Sequence, residues 1–173
     1  MITIISGTNR NNSNSLKVAK YYQKQLLESG VASQIFSLTD LPMDIISPEF
    51  YDKPCEDFKP IQNIISQTQK FLFIIPEYNG SFPGVLKALI DACKFPESFD
   101  DKKCALVGIA TGKYGNIRGL EHFTGIAHYC GMHVMPLKIH ITAIHQELDE
   151  VGNLSNPRTI KFVTEQVEKF IAF

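Results

Sequence analysis

The chain has 173 residues, 44% hydrophobic and 20% charged, the profile of one globular domain (1–173) by the prior of roughly 100–200 residues each, and not of a disordered segment. Its formal net charge of -1, with no Lys/Arg cluster, argues against a nucleic-acid binder. The apolar start Met1–Gly7 is too short for a secretory h-region, and no apolar run approaches the roughly 20 residues that span a bilayer, so the expected setting is the cytoplasm, with neither nucleic acid nor membrane as partner.

Taken in chain order, strand and helix signals alternate. Ile2–Ser6 is a continuous apolar run, and Ser15–Leu27 follows with Leu16, Ala19, Leu26 and Leu27 on one side. Gln34–Ser37 reads as a second strand. Asp40–Lys59, rich in Pro, Asp and Glu, is the longest expected loop. Phe58–Thr68 carries Ile61, Ile64 and Ile65 at helical spacing, and Phe71–Ile75 is again fully apolar. Val85–Cys93, with Leu86, Leu89 and Ile90, precedes the strand Ala105–Ala110. Arg118–Cys130, with Leu120, Phe123 and Ile126, precedes a last strand, His133–Leu137. Pro157–Phe170, with Ile160, Val163, Val167 and Phe170, closes the chain. Spacings of three and four mark amphipathic helices, and near-continuous apolar strands mark a sheet covered on both faces. The alternation predicts an α/β three-layer sandwich, a five-stranded parallel sheet in the flavodoxin-like order 2-1-3-4-5 with helices on both faces.

The four cysteines, Cys55, Cys93, Cys104 and Cys130, are scattered and form no CxxC. The last three sit in apolar surroundings, where a free thiol behaves as a small hydrophobe. The five histidines show no metal-binding spacing, and neither a metal nor a catalytic acid–base pair is expected.

In this architecture ligands bind beyond the carboxyl ends of the strands, where the strand order reverses. Three loops would form that site. The first, Gly7-Thr8-Asn9-Arg10-Asn11-Asn12-Ser13-Asn14-Ser15, opens a helix and offers hydroxyls, amides and one guanidinium with no acid. N–H groups at a helix start, its dipole and a bidentate arginine favour an anion such as a phosphate, with Thr8, Arg10, Ser13, Asn14 and Ser15 as the candidates. With Gly7 as its only glycine, it is neither a Walker A loop nor GxGxxG. Read blandly, it is a polar loop with Ser13 or Ser15 as an N-cap. The second loop, Pro76-Glu77-Tyr78-Asn79-Gly80, leaves a buried strand through a ladder-stopping proline, a carboxylate, an aromatic ring, an amide and a glycine. That mixture suits a planar ligand better than a simple turn. The third, Ala110-Thr111-Gly112-Lys113-Tyr114-Gly115-Asn116, suits a cover for one ring edge, with Thr111, Gly112, Lys113, Gly115 and Asn116 as candidates.

These residues carry a resemblance. Gly7-Thr8-Asn9-Arg10 with Ser13 resembles the G-S/T-x-R-x-x-S phosphate loop of the NADPH-dependent FMN reductase family. Pro76-Glu77-Tyr78-Asn79-Gly80-Ser81, with Pro83-Gly84 and Leu86-Lys87, is similar to that family's P-E-Y-N-x-S-x-P-G-x-L-K signature. The third loop departs most, with Gly115-Asn116 where many relatives have two adjacent glycines. The resemblance implies a flavodoxin-like fold, noncovalent FMN held by Thr8, Arg10 and Ser13 at its phosphate and by Glu77, Tyr78 and Asn79 at its ring, and a homodimer or homotetramer. It further implies NADPH or NADH as donor and a small acceptor: a flavin, quinone, azo compound or metal oxyanion. Two rival readings keep the fold without this turnover: an electron carrier of the flavodoxin kind, and a non-catalytic flavin-binding module. Such carriers are usually strongly acidic on one face, whereas this chain stands at -1.

Overall fold

The computed structural model describes residues 1–52 and 56–173. Strand β1 (Ile2–Ser6) leads to helix α1 (Asn14–Glu28) and β2 (Ser33–Ser37). Short 3-10 turns at Leu38–Asp40 and Met43–Ile46 and helix α2 (Pro48–Asp52) occupy much of the stretch expected to be one loop; residues 53–55 of that stretch, with Cys55, lie outside the described residues. Then come α3 (Phe58–Gln67), β3 (Lys70–Pro76), α4 (Gly84–Ala92), β4 (Lys103–Ile109) and α5 (Ile117–Tyr129), followed by β5 (His133–Val134), β6 (Ile139–Ile141), α6 (Ile144–Glu147) and α7 (Pro157–Ala172).

Among the described residues the strands of the sheet pair only in parallel, and the order is β2-β1-β3-β4-β5, as expected. The last position differs from the expected single strand His133–Leu137. It is shared by two short strands, β5 beside the start of β4 and β6 beside its end, with Val107 opposite Ile139. Met135 still donates its N–H to the Cys104 carbonyl at 2.8 Å. Pro136, without an N–H, cannot continue the ladder. The chain resumes pairing only at Ile139, one of a second apolar alternation, Ile139 and Ile141 around His140.

Alternate residues of each strand feed two cores. Phe71, Phe73 and Ile75 of β3 and Leu106 of β4 join α3, α4 and α5 on one face. There Phe73 packs on Phe123 with ring centroids 4.8 Å apart. Leu72 and Ile74 of β3, with Ile2 and Ile4 of β1, join α1 and α7 on the other. Helix α1 therefore leaves β1 toward one face and α4 leaves β3 toward the opposite face. Cys104 is buried, and burial pushes its thiol up to about 12, so at neutral pH it is an un-ionised core residue, as read from its neighbours. Among the described residues no helix is long and apolar enough to cross a membrane.

One buried polar group ties the second core together. Gln166 on α7 donates through Nε2 to the carbonyls of Leu106 (3.1 Å) and Leu137 (2.9 Å), and its Oε1 accepts from the Tyr22 hydroxyl of α1 at 2.6 Å. Burial raises the Tyr22 phenol well above its ordinary value, which keeps it a donor. Gln166→Leu strands the Tyr22 hydroxyl and two carbonyls in an apolar layer. It should destabilise the protein by about 2–4 kcal/mol and lower Tm by about 4–16 °C. Thermal unfolding followed by circular dichroism checks this, and an unchanged Tm contradicts the bridging role.

Candidate functional site

Where α1 and α4 part, a cleft of about 470 Å³ opens over the carboxyl ends of β1, β3 and β4. Its first wall is the loop after β1. The Gly7 N–H donates to the Ile74 carbonyl at 2.9 Å. A Cβ on Gly7 would stand 2.7 Å from that carbonyl oxygen, so only glycine lets the loop start this close to β3. Ser13 then caps α1, its Oγ accepting from the Leu16 N–H at 3.2 Å. The capping reading of Ser13 is thus correct, and its hydroxyl hydrogen remains free for a ligand.

The second wall is the turn after β3. Glu77 donates its N–H to the Ile109 carbonyl (2.9 Å), which carries the chain from β3 across to the end of β4. Tyr78 and Ser81 exchange two backbone hydrogen bonds around Asn79 and Gly80, whose φ values are 50° and 77°. This is the positive-φ pair of a tight I′ turn, which asparagine and glycine tolerate best. Gly80 is therefore a turn residue and stays off the cleft wall. The two walls touch: Thr8 Oγ1 and the Tyr78 hydroxyl share a hydrogen bond of 2.7 Å, and the Arg10 guanidinium lies 4.8 Å over the Tyr78 ring.

The third wall differs from expectation. Of the candidates there, only Thr111 lines the cleft, beside Ile109 and Ala110; Gly112, Lys113, Gly115 and Asn116 do not. Asn116 instead acts as a latch. It is fully buried at φ 62°, and its Nδ2 donates to the Ile75 carbonyl at 2.9 Å. Gly115, at φ 54°, packs on the His140 backbone, where a Cβ would meet carbon at 2.8 Å. Gly108 gives way in turn, since a Cβ there would stand 2.3 Å from the Gly115 carbonyl oxygen. The Gly112 carbonyl accepts from the Ala143 N–H, and the Ala110 carbonyl from the Ile144 N–H, each at 3.0 Å. Through these bonds Ile144, buried at the start of α6, reaches the cleft wall. Sequence reading missed it, although the alternation Ile139, Ile141 and the following Ile144 carried the signal.

Ten of the fifteen candidates from sequence meet in this one cleft: Thr8, Arg10, Ser13, Asn14 and Ser15, Pro76, Glu77, Tyr78 and Asn79, and Thr111. Its donors suit a phosphate attached to a flat ring. The Ser15 Oγ is buried in the first turn of α1 with no partner, an orphan hydroxyl at the positive end of a helix dipole. Among the described residues Arg10 supplies the only cation on the wall, and Glu77 the only acid. Among the described residues neither makes an ion pair. Pro76, Tyr78, Ile109 and Ile144 supply apolar or flat surface at the other end.

Residues 1–146 match the model of the NADPH-dependent FMN reductase family. A quinone reductase of Pseudomonas putida is 27% identical over 176 aligned positions, covering 99% of this chain and 93% of that protein. An NAD(P)H-dependent FMN reductase of Pseudomonas aeruginosa is 29% identical, covering 60% of this chain and 58% of that protein. Among solved structures, the flavoenzyme NAD(P)H:(acceptor) oxidoreductase of Paracoccus denitrificans superposes with a TM-score of 0.84 at 22% identity, over 99% of this chain and 94% of that one.

The latch makes a testable claim about the third wall. Asn116→Ala deprives the Ile75 carbonyl of its donor and places alanine in the left-handed region. The two effects together should cost about 2–4 kcal/mol. Amide hydrogen exchange over residues 110–117 should accelerate more than exchange in β1. Equal protection in variant and wild type would remove the latch.

Proposed function

Because the chain belongs to the NADPH-dependent FMN reductase family, we propose that the cleft beyond β1, β3 and β4 is its FMN site and that the electrons taken from NAD(P)H pass there to a quinone. The observation that carries this reading is the buried, unpartnered Ser15 hydroxyl at the start of α1, in a cleft that Arg10 also lines. Thr8, Arg10, Ser13, Asn14 and Ser15 would hold the phosphate. Pro76, Glu77, Tyr78, Asn79 and Thr111, with Ile109 and Ile144, would hold the ring. The quinone acceptor is supported by the Pseudomonas putida relative, which aligns over 99% of this chain.

FMN, when bound, accepts hydride from the nicotinamide and passes the electrons on one or two at a time. The residues of this chain do the rest. Neutral N–H and O–H groups of the first loop would hydrogen-bond the phosphate oxygens with no competing acid in that loop, and Arg10 would add charge and a planar fork. The Thr8–Tyr78 bond fixes the distance between phosphate loop and ring loop. The tight turn at Asn79-Gly80 keeps Glu77 and Tyr78 on rigid backbone.

A groove between α4 and α5 supports the homodimer or homotetramer reading. It is lined by Ile90, Cys93, Ile126 and the outward rings of Phe95 and Tyr129, the last 90% exposed. Exposed apolar area of this kind fits a two-fold contact with a second copy. Light scattering at micromolar concentration should give at least twice the mass of one chain, and a strictly monomeric mass would remove the claim.

The function itself is tested by anaerobic mixing. NADPH or NADH should bleach the flavin absorbance, and an added quinone should restore it; no bleaching by either nicotinamide would favour the electron-carrier reading. Arg10→Ala should weaken FMN binding about 10- to 150-fold, from the roughly 1.5–3 kcal/mol of a charge-assisted hydrogen bond. Turnover per bound flavin should hold, because the substitution acts on retention of the cofactor. Calorimetric titration decides, and unchanged FMN affinity would discard the role of Arg10.

A further inference from the structure

A second, smaller cleft of about 220 Å³ adjoins the first and shares Glu77 with it. Its other sides are Tyr114, Ile117 and Arg118, from the end of the third loop and the start of α5. Two features set it apart from ordinary surface. Tyr114 and Ile117 are large apolar side chains left 67% and 47% exposed next to each other. Glu77 and Arg118 carry opposite charges on the same small cleft, yet among the described residues they form no ion pair with each other or with any third group. Arg118 also makes no hydrogen bond through its guanidinium among the described residues.

The backbone under this cleft is held firmly. Glu77 follows β3 directly, and Asn116, between Tyr114 and Ile117, is bonded to the Ile75 carbonyl at the end of the same strand. The backbone that carries the walls is thereby tied to β3, which lowers the ordering cost of binding. A ring can lie on Tyr114 and Ile117, and a negative substituent can meet the free guanidinium, while the Glu77 carboxylate repels negative charge at the end next to the larger cleft.

We propose that Glu77, Tyr114, Ile117 and Arg118 form an acceptor subsite selective for planar aromatic acceptors that carry an ionised acidic substituent, oriented with that substituent on Arg118. This rests on the reading of the larger cleft as the flavin site. Arg118 would be a specificity-determining residue, and uncharged acceptors of the same size would bind without using it.

The test separates the subsite from the redox reading by measuring binding without turnover. Oxidised, FMN-loaded protein is titrated calorimetrically with anthraquinone-2-sulfonate and with uncharged 2-(hydroxymethyl)anthraquinone, in the absence of nicotinamide. Wild type should bind the sulfonate about tenfold more tightly, equivalent to about 1.4 kcal/mol, and the preference should shrink as salt is raised, because the guanidinium is solvent-exposed. Arg118→Gln should abolish the preference and leave the uncharged compound within about twofold of wild type, a margin far below one decade of affinity. Arg118→Lys should retain part of it. Equal affinity of wild type for both compounds, or a parallel loss of both in Arg118→Gln, overturns the proposal. Failure of the quinone-reductase reading shows differently, as absent NADPH-dependent reduction of either compound while the binding preference persists.

Discussion

The parting of the chain at the carboxyl ends of β1 and β3 is the constraint on which the rest depends. The two strands are hydrogen-bonded neighbours, with Ile5 opposite Phe73, yet α1 joins the core on one face and α4 the core on the other. Neither following loop can fill the space above their ends, so a cleft is left there by topology. Its chemistry then follows from which helix starts beside it. Helix α1 points its N-terminus at the cleft and brings unpaired N–H groups and a buried serine hydroxyl. That end of the cleft is therefore suited to an anion before any side-chain charge is counted.

Close backbone approaches keep the cleft in shape. Gly7 lets the first loop begin against β3, and Gly108 lets the third loop fold back over β4. The Asn116 amide then ties that third loop to the last turn of β3, at Ile75. Each contact joins one loop, the first or the third, to a strand, so these two walls are tied to the sheet. The sheet is itself braced by the Tyr22–Gln166 bridge beneath it.

How much of this was legible in the sequence depended on whether the deciding partner was local. The strands β1, β3 and β4 and the helices α1, α4 and α5 were readable because continuous apolar runs and three-four spacing are properties of adjacent residues. The gathering of the first loop and the Glu77-Tyr78 turn in one cleft was legible because both follow strands at the point where the strand order reverses. The split of the last strand was not, since a two-residue and a three-residue strand have almost no periodicity, although Pro136 marked the break. The latch role of Asn116 is not legible in the sequence, because its partner, the Ile75 carbonyl, lies 41 positions away. Gln166 escaped notice for the same reason, even though it stands three residues after Val163 and four before Phe170, on the buried stripe of α7.

In the proposed reading, the helix start and Arg10 anchor a flavin in this cleft by its phosphate. The most direct measurement is a calorimetric comparison of FMN with riboflavin on the wild-type chain. They share the same ring and differ only in the group the first loop is built to hold. FMN is expected to bind at least about tenfold more tightly, the minimum that one charge-assisted hydrogen bond confers, and added salt to narrow the gap. Equal affinity for the two would contradict it, since the donors of the first loop would then be holding nothing.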